Sequence, residues 1–213
     1  MLDKDLPLVR LFWLEIKPEY LKVFQDLGAT NLSQSIQTEA GTLTMYSAHR
    51  EDSPTACLVF EIYKNEGAYQ THINSAHFQA FAQLTPLAIH RREMVKLRPY
   101  IVQEKLTPLY QVTPNQQYLL LTKIKIKPQA IKVVKDHWIS QLHHLAPQTS
   151  HYLAADSEDP TSWYFLEVCT ESQPSFSHDL LDLEELAVAH ATQVFSADIL
   201  VSQGGLQLLY RDI

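Results

Sequence analysis

His72 and Glu61 are the residues of this sequence whose types and spacing best suit chemistry. His72 lies in the run Asn65-Glu-Gly-Ala68-Tyr-Gln-Thr-His72-Ile-Asn74-Ser75-Ala76-His77-Phe78. Ala68 sits one helical turn before it and Ala76 one turn after, so a helix here leaves room for a small ligand beside the imidazole. Imidazole titrates near neutrality and can take a phenolic or enolic proton at working pH. That transfer matters because a phenolate passes an electron to O2 far more readily than a neutral phenol does. On the helix pattern alone, a buried histidine bonded to a backbone carbonyl is the favoured reading.

Glu61 lies mid-strand among Leu58, Val59, Phe60 and Ile62. A carboxylate there needs a partner or a raised pKa, which is how acid/base groups are made. The plainer readings are a cross-strand pair with a residue such as Arg50, or an edge facing solvent. Its repetition as Glu167, described below, favours a structural role first and an acid/base role second. Tyr46 and Trp13 can line an aromatic pocket or fill the core, and core filling is the better reading for Trp13. Asn74 and His77 flank the His72 helix. His77 is five residues from His72, so the two side chains point to different helix faces and do not easily share a metal. His137, Gln141 and His144, with His143 beside them, fall on one helix face without a carboxylate in register, which fits a solvated polar face better than a metal site. Neither a metal nor a cofactor site is expected.

Composition narrows the function classes. In 213 residues, 46% hydrophobic and 19% charged, there is ample core and little case for disorder. The net charge of −7 repels a phosphate backbone, so nucleic acid is not an expected partner. Apolar runs stop at four or five residues, far short of a membrane span, and the acidic start Met1-Leu-Asp-Lys-Asp does not read as a signal peptide. Cys57 and Cys169 form no Cys-x-x-Cys pair and read as two reduced, buried thiols of a cytoplasmic protein. Five glycines, none in phosphate-loop spacing, argue against a P-loop or dinucleotide turn. Gly-x-Ser-x-Gly and His-Glu-x-x-His are absent as well.

The elements that must position His72 and Glu61 occur twice. Val9–Pro18 (VRLFWLEIKP) matches Leu119–Pro128 (LLLTKIKIKP), and Tyr46–Pro54 (YSAHREDSP) matches Tyr152–Pro160 (YLAADSEDP). At the latter offset of 106, Glu61 pairs with Glu167 and His72 with His178; at the prolines the offset is 110. Each copy reads strand, helix, strand, strand, helix, strand. In copy one these are Val9–Ile16, Glu19–Thr38 (weakened or broken at Gly28), Thr42–His49, Ala56–Tyr63, a helix over 66–84 capped by Asn65, and Glu93–Val102. In copy two the strands fall near Tyr118–Ile126, His151–Ala155, Trp163–Thr170 and Asp198–Leu209, the last interrupted at Gly204-Gly205. Its helices fall near Gln129–Leu145 and Phe176–Phe195. This predicts an α+β chain of two tandem ferredoxin-like (βαββαβ) domains, over 1–106 and 118–213 with 107–117 as linker. Phe12, Leu14 and Ile16 occupy one face of the first strand, Leu11 and Trp13 the other. Both faces therefore read as buried, which suits antiparallel sheets packed as an internal pseudo-dimer.

Three segments of copy one carry a family resemblance: Glu39-Ala-Gly41-Thr-Leu with Tyr46, Phe60-Glu61-Ile-Tyr63, and Ala68-x-x-x-His72-Ile-x-Ser75-x-x-Phe78-x-x-Phe81. Copy one resembles the antibiotic biosynthesis monooxygenase (ABM) domain, a branch of the dimeric α+β barrel superfamily. Copy two is reached through the repeat and lacks the Ser-x-x-Phe-x-x-Phe continuation. The resemblance implies a small pocket between sheet and helices, used by relatives for cofactor-independent oxygenation of phenols or quinols, heme breakdown, or isomerisation of small phosphorylated signals. The heme ligand of such relatives is a histidine four residues beyond the position of Phe78; here it is Ala82, so heme is not expected. The resulting expectation is a monooxygenase acting with O2 on a small phenolic or quinol substrate. His72 is its base, Glu61 its catalytic partner, and Tyr46, Trp13, Asn74 and Phe78 contact substrate. The alternatives are an isomerase of an enolisable metabolite using the same pair, or a non-catalytic ligand-binding module. His178 sits beside Asp179, Asp182, Glu184 and Glu185, and copy two reads as a degenerate packing partner. Exposed apolar helix faces would add a homodimer to the internal pairing.

Overall fold

The structure, a computed structural model, describes residues 6–112, 116–142, 150–172 and 183–209. Its elements are β1 (Leu8–Ile16), α1 (Leu21–Thr38), β2 (Thr42–Arg50), β3 (Ser53–Tyr63), α2 (Glu66–Ile73), α3 (Ala76–Ala88) and β4 (Ile89–Gln103), then β5 (Leu109–Gln111), β6 (Tyr118–Ile126), α4 (Ile131–Leu142), β7 (His151–Asp156), β8 (Ser162–Cys169), α5 (Leu183–Leu186), β9 (Ala187–Ser202) and β10 (Gln207–Leu209). Pro18 and Pro128 each open a 3-10 turn that leads into α1 and α4, where a missing N–H costs nothing.

In each half the strand order is that of a ferredoxin-like sheet, β4-β1-β3-β2 and β9-β6-β8-β7. The long last strands join the halves. β4 pairs with β1 over 89–97 and with β7 over 97–103. β9 pairs with β6 over 187–196 and with β2 over 196–202. All pairings are antiparallel, and together they close an eight-stranded barrel of two tandem ferredoxin-like domains with no open edge between the halves. β5 and β10 attach to β9 and β4.

The alternation in β1 follows from this closure. Val9 and Leu11 face the barrel interior with Leu58, Phe60 and Leu119, and Trp13 packs against that cluster. Phe12, Leu14 and Ile16 face outward under the helices, against Phe24 and Ala88. At the centre, the repeat-equivalent Tyr46 and Tyr152 meet hydroxyl to hydroxyl at 2.7 Å. Tyr152 donates to Glu104 Oε1 at 2.9 Å, which leaves Tyr46 as the donor between the tyrosines. Thr44 also bonds Glu104 Oε1, and Oε2 is buried without a partner. Burial pushes the Glu104 carboxyl above the ordinary range, with the hydrogen bonds from Thr44 and Tyr152 opposing the shift.

Several expectations need correction. α1 runs unbroken through Gly28. The helix expected over 66–84 is two helices, because Asn74 ends α2 and Ser75 caps α3 by accepting from Phe78 N–H. The helix expected over Phe176–Phe195 becomes a strand from Ala187 onward; pairing with β6 overrides the helix propensity of its alanines. Residues 173–182, and with them His178, Asp179 and Asp182, lie outside the described residues, as do His143 and His144. The linker contains the short strand β5. Arg50 pairs with Asp52, not with Glu61, whose neighbour on β1 is Arg10. Cys57 and Cys169 are buried and form no disulfide. Among the described residues no helix is long and apolar enough to cross a membrane.

A buried acid with a raised folded pKa stabilises the fold below its unfolded pKa, and that contribution is lost as pH rises through the folded value. Glu104→Gln keeps the Oε1 acceptor and cannot ionise. The difference in unfolding free energy between variant and wild type is therefore expected to shift in the variant's favour as pH rises from 5 to 8, by at most about 1.4 kcal/mol per pH unit. Urea unfolding at each pH measures it, and a pH-independent difference contradicts the assignment.

Candidate active site

A cavity of about 110 Å³ lies between the outer face of the copy-one sheet and its helices. Phe12, Leu14, Val59 and Glu61 form its floor; α1 adds Gly28 and Asn31, α2 adds His72, and α3 adds Phe78, Phe81 and Ala82. Arg92, exposed on β4, stands at its rim. The close approach of α2 to the sheet depends on Gly41: a Cβ there would meet Ala68 Cβ at 2.4 Å, a distance real side chains do not tolerate.

His72 is held from behind. Its Nδ1 lies 3.1 and 3.3 Å from the Glu39 carboxylate oxygens and 3.2 Å from Ser35 Oγ. Ser35 spends its own proton on the Asn31 carbonyl at 2.7 Å, so it can only accept from His72. Both neighbours of Nδ1 are acceptors, which assigns the proton to Nδ1 and the lone pair to Nε2. Nε2 is buried and has no hydrogen-bond partner, and the ring lines the cavity edge-on to Phe78, with centroids 4.7 Å apart.

Glu39 ends α1 and is itself buried. It accepts from Thr42 Oγ1 at 2.5 Å and from His77 Nε2 at 2.7 Å as well as from His72. Burial pushes its carboxyl up, but the bonds from His72, Thr42 and His77 more than offset that and hold it below the ordinary range, so it is an anion. Glu61 is the opposite case. Burial pushes it up, opposed by the charge environment of His72, a hydrogen bond from Tyr63 Oη at 3.0 Å, and Arg10 and Arg92. One carboxylate is held as the anion behind the histidine, while burial favours the neutral form of the other.

The structure brings His72, Glu61 and Phe78 to one cavity. It puts Tyr46 inside the barrel on Tyr152, away from the cavity lining. Trp13 packs on Tyr164 and lines a separate cleft at the barrel end. Asn74 is exposed, caps α2 and donates to the Gln70 carbonyl. His77, expected to point away from His72, instead shares Glu39 with it, because the break at Asn74-Ser75 re-aims the chain. Ser35, Asn31 and Arg92 were not singled out from sequence, and Glu39 entered only as part of the family pattern, with no site role. An acid closing a helix opposes the helix dipole, and that cost is the signal that marks Glu39 as partnered.

The two halves are not equivalent. In the register set by Pro18 and Pro128, Trp138 takes the place of Gly28, and it is fully buried edge-on to Trp163, with ring centroids 5.4 Å apart. Bulk therefore fills in copy two what glycine leaves open in copy one.

The antibiotic biosynthesis monooxygenase family model matches residues 7–84, which hold all of the cavity residues named above except Arg92. Residues 7–84 are an ABM domain. The whole chain shares its fold with a candidate monooxygenase of Lactobacillus acidophilus NCFM, at 18% identity and a TM-score of 0.82, covering 95% of this chain and 99% of that one. A candidate monooxygenase of Fusobacterium nucleatum subsp. nucleatum ATCC 25586 aligns at 17% identity and a TM-score of 0.81, covering 96% and 98%. An anthrone oxidase-like protein aligns at 11% identity and a TM-score of 0.56, covering 98% of each chain. No curated protein matches the chain. Near-complete coverage of both partners extends the fold of the ABM half to the tandem pair.

If the ABM-domain cavity is open because position 28 has no side chain, Gly28→Leu fills it. The variant is expected to keep or raise its melting temperature, since leucine is the better helix former by roughly 1 kcal/mol, while losing room in the cavity for a small aromatic probe. Calorimetric titration beside a thermal melt checks both; undiminished binding would move the ligand site elsewhere.

Proposed function

We propose that the chain is a monooxygenase that acts on a small phenolic or quinol substrate in the ABM-domain cavity, with His72 as the base and Glu61 as the second proton acceptor. The observation that carries this reading is the unpartnered Nε2 of His72, buried at an apolar cavity and held in one tautomer by Glu39. The family match supports monooxygenase-type chemistry, and an aromatic cavity wall of Phe12, Phe78 and Phe81 suits a planar ring.

In this reading the phenolic hydroxyl gives its proton to Nε2, and Glu39 stabilises the imidazolium that forms. The phenolate passes one electron to O2, and the two radicals combine in a C–O bond at the activated ring carbon. The imidazolium returns its proton to the terminal oxygen, giving a hydroperoxide. Glu61 removes the hydrogen on that carbon as the O–O bond breaks. A quinone carbonyl forms and hydroxide leaves; Glu61 returns its proton to that hydroxide, giving water. One oxygen atom enters the product and the other leaves as water, with the substrate as the sole reductant. No cofactor is required by this balance.

Oxygen uptake by metal-stripped protein with naphthols, naphthohydroquinones and benzenediols tests the proposal. Wild type is expected to exceed autoxidation, with His72→Ala lower by about 100-fold or more and Glu61→Gln also reduced. Uptake unaffected by His72→Ala would overturn the base assignment. Absence of uptake across the panel would overturn the oxygenase reading and leave the same pair to enolisation of a small metabolite.

A further inference from the structure

We propose that Glu39, His72 and His77 also form a binding site for a divalent first-row transition ion, zinc being the best match, and that the bound ion switches His72 off as a base. The binding half stands on the geometry alone; the switching half rests on the function proposed above.

Three donor atoms, a carboxylate oxygen of Glu39, an imidazole nitrogen of His72 and one of His77, lie within 4.8 Å of one another. Zinc bonds of 2.0–2.2 Å in tetrahedral geometry set donors about 3.4 Å apart. Two of the three separations are already inside that value, both to the same carboxylate oxygen: His72 Nδ1 to Glu39 Oε1 at 3.3 Å and His77 Nε2 to Glu39 Oε1 at 2.7 Å. All three residues are anchored at helix ends: Glu39 at the end of α1, His72 in the last turn of α2, and His77 in the first turn of α3. Two imidazoles and one carboxylate suit zinc and its neighbours rather than the all-oxygen shells of calcium or magnesium. The side chain of His77 retains 11% of its surface, against 1% for His72, so it gives the ion an approach from solvent.

Charge and proton balance favour the exchange. Glu39 is already an anion, so no proton need leave it. The ion takes the lone pairs of His72 Nδ1 and His77 Nε2, and each ring moves its proton to its other nitrogen. For His72 that nitrogen is Nε2, which now has no hydrogen-bond partner. With a proton on Nε2 the ring faces the cavity as a donor, and the lone pair needed for proton abstraction is gone.

Calorimetric titration of the full chain with zinc, repeated with cobalt(II) while following its visible absorption, reads the site directly. Wild type is expected to bind one ion per chain with tetrahedral cobalt bands. His77→Ala and Glu39→Gln are expected to weaken binding at least about 100-fold, while His49→Ala, at the separate His49–Asp198 pair, leaves it intact. His77→Gln and circular dichroism of each variant separate loss of a ligand from loss of fold. Oxygen uptake by wild type should fall in step with occupancy. No stoichiometric binding, or equal binding by His77→Ala, overturns the site. Uptake that persists at full occupancy overturns the switch. A protein that binds the ion but takes up no oxygen at any metal concentration contradicts the function proposed above, and with it the switching half, while the site stands.

Discussion

A four-stranded antiparallel sheet with helices on one side leaves a bare face and two unpaired edges, and everything in this chain depends on covering all three together. The second copy does so by strand pairing rather than by simple stacking. β4 and β9 are the longest strands because each serves two sheets, its own copy in its first half and the other copy in its second. Closure turns the bare faces into one interior, removes the edges that invite aggregation, and brings Tyr46 and Tyr152 together at the centre. It also frees the outer faces to differ, because the helices over each half need satisfy only their own half.

That freedom is used asymmetrically. Copy two packs Trp138 of its first helix against Trp163 of the sheet, while copy one keeps Gly28 and a cavity. Burying the Glu39 carboxylate is tolerable because three side-chain donors converge on it, and their convergence orders α1, α2, α3 and β2 at one point. Leaving His72 Nε2 buried and unbonded is a cost of the kind that structure-only positions rarely carry. In this account the cost is recovered when a substrate hydroxyl arrives.

Much of the architecture was legible because the repeat set the number of halves and alternation set the strands. The two-sided burial of β1 follows from Phe12, Leu14 and Ile16 alternating with Leu11 and Trp13. β9 was misread because Ala187-Val-Ala-His-Ala carries helix formers, and only the pairing with β6 makes it a strand. The site was half legible. His72 and Glu61 stood out as ionisable groups among small or apolar neighbours, but the histidine pair was lost to an assumption of continuous helix. Ser75, three residues before the Phe78 N–H it accepts from, was the overlooked cap. Tyr46 was placed near substrate by its aromatic character, whereas its register on β2 turns it into the barrel.

The central claim is that Glu39 fixes the tautomer of His72 so that a lone pair faces the cavity. Nitrogen-15 NMR of the imidazole rings in the metal-free protein tests it most directly, with His72 assigned by its loss in His72→Gln. Wild type is expected to show a protonated Nδ1 and an unprotonated Nε2, with that preference relaxed in Glu39→Gln. A neutral ring carrying its proton on Nε2 in the wild-type protein would contradict it.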